Sequence, residues 1–344
     1  MKRSIGWVML VFVLTLGACG AKDTADDTKA EASDGETLEL RVGVVVGDWS
    51  PHYKAAEAWA KQLDEESDGK IKLKIFPDGQ LGGEREMFEA VQKGSLDVGL
   101  LSSSVYSAFE PKMSVLDIPF LVSDFDEAEK LMAGPVGEEL DKLLLANGVR
   151  NLAWAHNDFR IITNNKQPIE KPEDLSAVKM RVPESKVLAD WYKELGTMAV
   201  PMPFPDIYTA LQQKVVDGQD NGPILSFAAK FFEHQKYLTV SNHQYSPIGF
   251  LFSDSVWAKL TDQQKELLES TAAEAAEIEM QAIREFNETA IKSMEEAGLE
   301  TTYLDGEQLK AFKETTTPFL DDIRTVAGDE LMDLVLKEAG YESQ

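Results

Sequence analysis

Residues 38–76, LELRVGVVVGDWSPHYKAAEAWAKQLDEESDGKIKLKIF, carry the pattern that decides the fold. The first nine are rich in valine and leucine, which predicts a strand. Apolar side chains then recur at helical spacing between Tyr53 and Leu63. From Lys70 to Phe76 polar and apolar residues alternate, which predicts a second strand. A strand–helix–strand order is typical of an α/β protein with parallel strands.

The same alternation continues and predicts two α/β units. In the first unit we expect helices at 84–93 and 127–147 and strands at 96–101 and 149–155. In the second unit we expect strands at 160–163 and 178–182 and helices at 186–195 and 204–214. Strands at 237–242 and 249–252 then return the chain to the first unit. This order predicts parallel sheets.

A long helical stretch, residues 262–297, follows and ends before Gly298. At 1.5 Å per residue it would span about 54 Å, more than one small domain. Two kinked helices would fit, but we expect one strut packed against both units. The predicted domains are then 38–157 plus 247–286 for the first and 158–246 plus 287–344 for the second.

The N-terminus has the features of a targeting segment. Lys2 and Arg3 precede an apolar run at 5–16, which is shorter than the roughly 20 residues of a membrane span but typical of a signal peptide. The following Leu-Gly-Ala-Cys19 resembles a bacterial lipobox, so we expect residues 1–18 to be a lipoprotein signal peptide and Cys19 to be lipidated. A plain secretory signal is the alternative. Residues 19–37 are acidic and poor in large apolar side chains, which predicts a flexible tether.

Composition narrows the classes of function. The chain has 34 Lys and Arg against 60 Asp and Glu, a net charge of −26, which disfavours nucleic acid as a partner. Its single cysteine excludes an internal disulfide and a thiolate zinc site. No nucleophile elbow, phosphate loop or dinucleotide motif is present, and the four histidines are scattered. We therefore expect no metal, no cofactor and no enzyme activity. An enzyme whose site has no motif is the rival class.

Two arginines, Arg160 and Arg181, lie among apolar residues at predicted strand ends. An anionic ligand is repelled by the field of an acidic protein, so it needs local donors. A guanidinium can form two parallel hydrogen bonds to a carboxylate, which lysine cannot. The alternative is that both arginines pair with acidic side chains of the protein. Composition alone leaves the two interpretations open.

A longer pattern resembles a known family. Lys179–Pro183 is followed by Gly196, then by Met-Pro-Phe at 202–204, Tyr-Thr-Ala-Leu-Gln at 208–212 and Val-Asp-Gly-Gln-Asp-Asn at 216–221. Gly-Gln-Leu-Gly at 79–82 and Gly-Ser-Leu-Asp at 94–97 precede it. These motifs are similar to the solute-binding proteins of TRAP transporters, the DctP-like family. The resemblance covers about residues 38–330.

The resemblance implies a two-domain α/β fold like that of periplasmic binding proteins, with a ligand cleft between the domains and a long bracing helix near the C-terminus. It implies that Arg181 forms the main salt bridge to a substrate carboxylate. Further expected contacts come from Arg160, Asn221 and Phe204, and also from Glu84, Ser102 and Ser103. Trp49, Trp154 and Tyr245 either line the cleft or belong to the core. Val45, Val46 and Ser102 depart from the sialic-acid-binding members, so we do not expect that ligand.

The function implied is extracytoplasmic capture of a small organic-acid anion by a lipid-anchored monomer. The protein would deliver the anion to the small and large membrane subunits of a TRAP transporter. Alternatives are the binding protein of an ABC importer, disfavoured by the motif at 216–221, or a ligand-sensing lipoprotein for a sensor kinase. The sequence leaves C4-dicarboxylates, sugar acids, keto or hydroxy acids and aromatic acids open as ligands.

Overall fold

The structure is a computed structural model that describes residues 37–341, in which eleven strands form two sheets. The strands are β1 (Leu38–Val44), β2 (Ile71–Phe76), β3 (Val98–Ser102), β4 (Val149–Phe159), β5 (Ile161–Asn164), β6 (Lys179–Val182), β7 (Met198–Pro201), β8 (Gly218–Asn221), β9 (Tyr237–Val240), β10 (Tyr245–Ser253) and β11 (Glu300–Tyr303). The predictions on residues 1–36, including Cys19, lie outside the described residues.

Helices cover both sheets. They are α1 (Pro51–Glu66), α2 (Glu84–Gln92), α3 (Phe125–Met132), α4 (Pro135–Ala146), α5 (Lys186–Glu194), α6 (Ile207–Gln212), α7 (Pro223–Ala228), α8 (Asp254–Trp257), α9 (Asp262–Glu296), α10 (Gly306–Glu314), α11 (Thr317–Ala327) and α12 (Asp329–Glu338). Short 3-10 helices lie at Ser103–Ala108, Pro111–Asp117, Pro172–Leu175, Phe204–Asp206 and Phe231–His234. Within residues 37–341, no helix is long and apolar enough to cross a bilayer.

Both sheets are mixed, which corrects the expectation of parallel sheets. The first has the order β2-β1-β3-β10-β4, and β10 runs antiparallel to both of its neighbours. The second has the order β11-β9-β5-β8-β6-β7, and β5 is antiparallel to β8 and β9. The chain leaves the first sheet along β4, which leads directly into β5, and returns along β10 in the opposite direction. The antiparallel pair of β4 and β10 follows from this exit and return.

Two predicted helices are interrupted. The helix expected at 127–147 is divided into α3 and α4, because Gly134 and Pro135 intervene and proline has no N–H for a continuing helix. The segment 204–214 begins as a 3-10 helix and becomes α6 only at Ile207. The short strands β7, β8 and β11 have no counterpart among the predicted elements.

The long helix α9 is one continuous helix, as the strut hypothesis expects. It begins with a capping box between Thr261 and Gln264, which satisfies N–H groups at its first turn. Its first half packs Leu268 against the core of the first sheet. Its last turns pack Met294 with Ile161 and Leu238 of the second sheet. The helix therefore braces both sheets.

Candidate functional site

A cavity lies between the two sheets, at the carboxyl ends of strands from each. The space between the atoms there, including space open to solvent, totals about 420 Å³. Parallel strands direct ligands to their carboxyl ends, where loops and helix N-termini supply donors. Polar lining residues from the first sheet side are His52, Glu84, Ser102, Ser104 and Asn157, and those from the second are Arg160, Arg181 and Asn221. The apolar lining includes Val44, Val45, Val46, Leu100, Phe204, Leu225 and Ile248.

Arg181 extends from β6 into this cavity and is 4% exposed. Its Nε donates to the Met202 carbonyl at 2.9 Å and its Nη1 to the Asp220 carbonyl at 3.3 Å. Within residues 37–341 no carboxylate lies within salt-bridge distance of Arg181. Burial and the neighbouring charge of Arg160 lower its pKa to about 10, so it is charged at neutral pH. The cavity thus contains a buried guanidinium with no anionic partner.

Arg160, in contrast, is already paired. Its Nε donates to Asp220 Oδ2 at 2.9 Å and its Nη2 to Oδ1 at 3.1 Å and to the Asp220 carbonyl at 2.6 Å. His243 Nε2 lies 3.2 Å from the same carboxylate. Burial raises the pKa of Asp220, but the charge of Arg160 and the hydrogen bonds outweigh burial and hold the pKa well below its usual range. Arg160 therefore brings little net charge to the cavity.

Asn221 and Phe204 complete the second wall. Asn221 ends β8, and its side-chain oxygen accepts from the Gly222 N–H at 3.0 Å. This orients the amide, and the amide nitrogen has no hydrogen-bond partner among the described residues. Phe204 packs against Phe231 with ring centroids 5.6 Å apart. One polar donor and one apolar surface therefore flank the arginines.

Glu84 is the carboxylate of the opposite wall. It is the first residue of α2, and its Oε1 accepts from the Ser102 N–H at 2.7 Å. The part of the chain that is described supplies no hydrogen bond to the other oxygen. Burial raises the pKa of Glu84, while the Ser102 N–H and the positive charges of Arg181 and His52 oppose that rise.

A polar network lies behind Glu84, and sequence reasoning missed most of it. Asn157 donates to Ser102 Oγ at 3.1 Å, and Ser102 Oγ in turn donates to Ser104 Oγ at 3.1 Å. His52 Nε2 lies 3.1 Å from Asn157 Oδ1, and His52 Nδ1 lies 2.8 Å from Glu279 Oε1 of α9. Apart from Ser102 and Ser104, the hydrogen-bonded residues are far apart in the chain. No local sequence motif therefore predicts the network.

Four of the sequence-predicted residues lie outside this cavity. Ser103 is buried, and its hydroxyl has no partner within the described residues. Trp49 packs against the core of the first sheet. Trp154 donates to Asp141 at 2.9 Å, and the Tyr245 hydroxyl lies 2.9 Å from His156 Nδ1. Trp154 and Tyr245 line a second cavity next to α9. Residues 37–341 hold no group of three or more His, Cys, Asp or Glu side chains placed to bind a metal ion.

The fold and the cavity define a two-domain α/β binding protein of the periplasmic type, with an arginine-lined ligand cavity between its domains. Comparison with known families agrees with this class. Residues 42–325 match the family described as "Bacterial extracellular solute-binding protein, family 7", DctP. The chain belongs to this family, the solute-binding proteins of TRAP transporters that its motifs resemble.

Known relatives span most of the chain. The 2,3-diketo-L-gulonate-binding periplasmic protein YiaO of Escherichia coli (strain K12) is 33% identical over 76% of this chain and 80% of its own. The C4-dicarboxylate-binding periplasmic protein DctP of Rhodobacter capsulatus is 32% identical over 86% and 89%. The sugar acid binding protein DctPAm from Advenella mimigardefordensis, solved in complex with galactonate, superposes with a TM-score of 0.86. It shares 33% identity over 90% of this chain and 100% of its own.

Proposed function

We propose that the protein is the extracytoplasmic receptor of a TRAP transporter and binds a small organic-acid anion through a salt bridge to Arg181. The observation that carries the proposal is the buried guanidinium of Arg181, which faces the cavity without a carboxylate partner from residues 37–341. A buried charge is costly unless it is paired and hydrogen-bonded. A ligand carboxylate would supply that partner and accept charge-assisted hydrogen bonds.

Each of the residues around Arg181 would make a different contact with the ligand. Arg160 is fixed by Asp220, so it would offer its remaining N–H groups in a set orientation. The Asn221 amide would donate a further hydrogen bond, and Phe204 would cover the apolar part of the ligand. Hydrogen bonds to a charged group are worth about 1.5–3 kcal/mol each. These contacts together would hold an anion against an overall negative field.

Binding would be coupled to closure of the two domains, with the proposed boundaries 38–157 plus 247–286 and 158–246 plus 287–344. The cavity walls come from both sheets, so a ligand that contacts both walls stabilises the closed arrangement. Closure would exclude water and strengthen each polar contact. The closed protein would then release the anion to the membrane subunits, with no chemical step. The membrane anchor would be a lipid on Cys19 after removal of residues 1–18, and residues 19–37 would act as the tether.

The test compares an acid with its own methyl ester. A library of organic acids is first screened by thermal shift, because a ligand at 100 times its dissociation constant stabilises a protein by about 2.7 kcal/mol. Calorimetry then measures the best acid and its ester. The ester cannot accept the charge-assisted pair from Arg181, so we expect its binding to be lost. Equal affinity for acid and ester would contradict the proposal.

A further inference from the structure

The two walls of the cavity differ in charge. On the second wall the charge of Arg160 is balanced by Asp220, which leaves Arg181 as the net positive group. On the first wall His52 is balanced by Glu279, which leaves Glu84 as the net negative group. A ligand carboxylate bound to Arg181 would therefore direct the rest of the molecule toward a wall that carries a carboxylate.

We propose that the ligand is a monocarboxylic acid whose other end carries hydroxyl groups, and that Glu84 selects it against dicarboxylic acids. This inference rests on the proposed function, because it takes Arg181 as the anchor of the carboxylate. A second carboxylate would lie in the same partly desolvated space as Glu84, where like charges repel more strongly than in water. A hydroxyl group brings no charge, and it can donate to a carboxylate oxygen.

The rest of the first wall also suits hydroxyl groups. Ser104 Oγ accepts from Ser102 Oγ, so its own hydrogen is free to point into the cavity. Glu84 Oε1 is held by the Ser102 N–H, which fixes the carboxylate and leaves Oε2 as an acceptor. A ligand hydroxyl can donate to Glu84 and accept from Ser104 at the same time.

A ligand ammonium group is the main competitor for Glu84, and the wall disfavours it. Glu84 would attract an ammonium, but an ammonium can only donate hydrogen bonds, so it would leave the Ser104 hydroxyl hydrogen without an acceptor. We therefore assign the site to hydroxyl groups.

The experiment uses ligands that differ only at the end away from the first carboxylate. Galactonate is compared with galactarate, and erythronate with meso-tartrate, by calorimetry on the wild-type protein. 6-Amino-6-deoxygalactonate and 4-amino-4-deoxyerythronate, in which an amine replaces only the terminal hydroxyl, represent the ammonium alternative. The loss of one hydrogen bond to a charged group corresponds to about tenfold or more in affinity. We first identify which of the two monoacids, galactonate or erythronate, binds more tightly. We expect that monoacid to bind at least about tenfold more tightly than its matched diacid and its matched amino acid.

The variant Glu84→Gln removes the charge but keeps an oxygen that can accept from the Ser102 N–H. We expect it to weaken the hydroxylated monoacid and to reduce the preference over the diacid to less than about threefold. Glu86→Gln, on the exposed side of the same helix turn, is the matched control and should keep the wild-type preference.

The outcomes separate the two claims. Tighter binding of a diacid or of an amino acid to the wild-type protein would overturn the assignment to hydroxyl groups but leave the Arg181 salt bridge intact. An unchanged preference in Glu84→Gln would overturn the role of Glu84. Equal binding of an acid and its methyl ester would instead contradict the proposed function itself.

Discussion

His52 and Glu279 form a buried ion pair that joins the start of α1 to the middle of the bracing helix α9. His52 Nδ1 lies 2.8 Å from Glu279 Oε1, and both side chains are at most 3% exposed. The second oxygen of Glu279 accepts from the His156 N–H of β4 at 3.0 Å. One carboxylate therefore fixes a helix and a strand that both border the ligand cavity.

The first prediction concerns this pair. Burial lowers the pKa of His52, but the hydrogen bond and charge of Glu279 outweigh burial and raise it above the ordinary 6.5. A raised pKa contributes stability that is fully present below pH 6.5 and is lost as the pH rises through the folded-state pKa. We expect Glu279→Gln to lower the free energy of unfolding by about 3–5 kcal/mol at pH 6 and by much less at pH 9.

Urea unfolding followed by circular dichroism at the two pH values measures both effects. Glu277→Gln, on the exposed side of the same turn of α9, is the control and should change stability little at either pH. An equal loss at pH 6 and pH 9 would show that His52 does not carry the charge.

The second prediction concerns Arg181. Lysine keeps the charge but has no second N–H in the same plane for a bidentate contact. We expect Arg181→Lys to weaken binding of the cognate acid by about 10- to 150-fold, the range that one lost hydrogen bond to a charged group covers. Stability should fall less than in Arg160→Lys, because among the described residues Arg181 donates to two backbone carbonyls and pairs with no carboxylate.

Calorimetry and thermal unfolding of the same preparation separate the two effects. Arg324→Lys, at a partly exposed arginine of α11, controls for the substitution itself. Binding of Arg181→Lys within about threefold of wild type would show that another residue anchors the carboxylate.

The third prediction concerns Arg160, whose pairing makes it a structural residue as well as a proposed ligand contact. Two of its three donor nitrogens, Nε and Nη2, engage the buried Asp220 carboxylate. We expect Arg160→Lys to lower the free energy of unfolding by about 1.5–3 kcal/mol, since at least one charge-assisted hydrogen bond is lost. Its effect on ligand affinity should be smaller than that of Arg181→Lys.

A double-mutant cycle of Arg160→Lys and Asp220→Asn measures the coupling energy between the two side chains. The free energies of unfolding come from urea titrations. The pKa of Asp220 is depressed in the folded protein, so its contribution is present above its unfolded pKa and is lost as the pH falls through the folded pKa. The coupling should therefore be full at pH 6. Additive effects of the two substitutions would refute the pairing.

The sequence predicted the polar residues of the second wall, whereas on the first wall it predicted Glu84 and Ser102 but not His52, Ser104 or Asn157. The family resemblance implies ligand contacts at Arg181 and Asn221, and the structure brings both residues to the cavity. The partner of Arg160 is Asp220, 60 residues away, so no local pattern reveals that one arginine is neutralised and the other is not. The roles of His52 and Glu279 depend on α1 packing against α9, a contact between segments 227 residues apart.

The aromatic residues show a different limit. Trp154 and Tyr245 were expected either in the cleft or in the core, and both patterns look alike in sequence because aromatic side chains serve both purposes. The sequence also did not predict that β10 runs antiparallel to its neighbours. The alternation of strands and helices indicates which segments are strands, but it does not give the direction of a strand that returns to a sheet.

The fourth prediction concerns the membrane anchor. Cys19 follows Leu-Gly-Ala directly after an apolar run, so we expect Cys19→Ser to abolish fatty-acid labelling and to release the protein from membranes. Metabolic labelling with a radioactive or alkyne fatty acid, followed by membrane fractionation, measures both. Labelling that persists in Cys19→Ser would contradict lipidation at this residue.

The fifth prediction concerns Asp158, near the end of β4 where the chain passes to the second sheet. Burial raises the pKa of Asp158 to about 8, and its Oδ2 has no partner among the described residues. The backbone of Asp158 has a φ of 101°. Asp158 also lies close to Gly222, where an added Cβ would be only 2.5 Å from the Asp158 Cβ. The carboxyl group is therefore neutral at pH 6, and asparagine is its nearest isostere.

The folded protein keeps the Asp158 proton up to about pH 8, whereas the unfolded chain releases it near pH 3.9. Between these two pH values, Asp158 therefore lowers the stability of the wild-type protein as the pH rises. Asparagine does not titrate, and its side-chain oxygen can still accept from Asn287, which donates to Asp158 Oδ1 at 2.6 Å. We expect Asp158→Asn to gain stability relative to wild type as the pH rises from 5 to 8. Urea unfolding at both pH values measures this difference, and a stability difference that is the same at pH 5 and pH 8 would show that Asp158 is ionised in the folded protein.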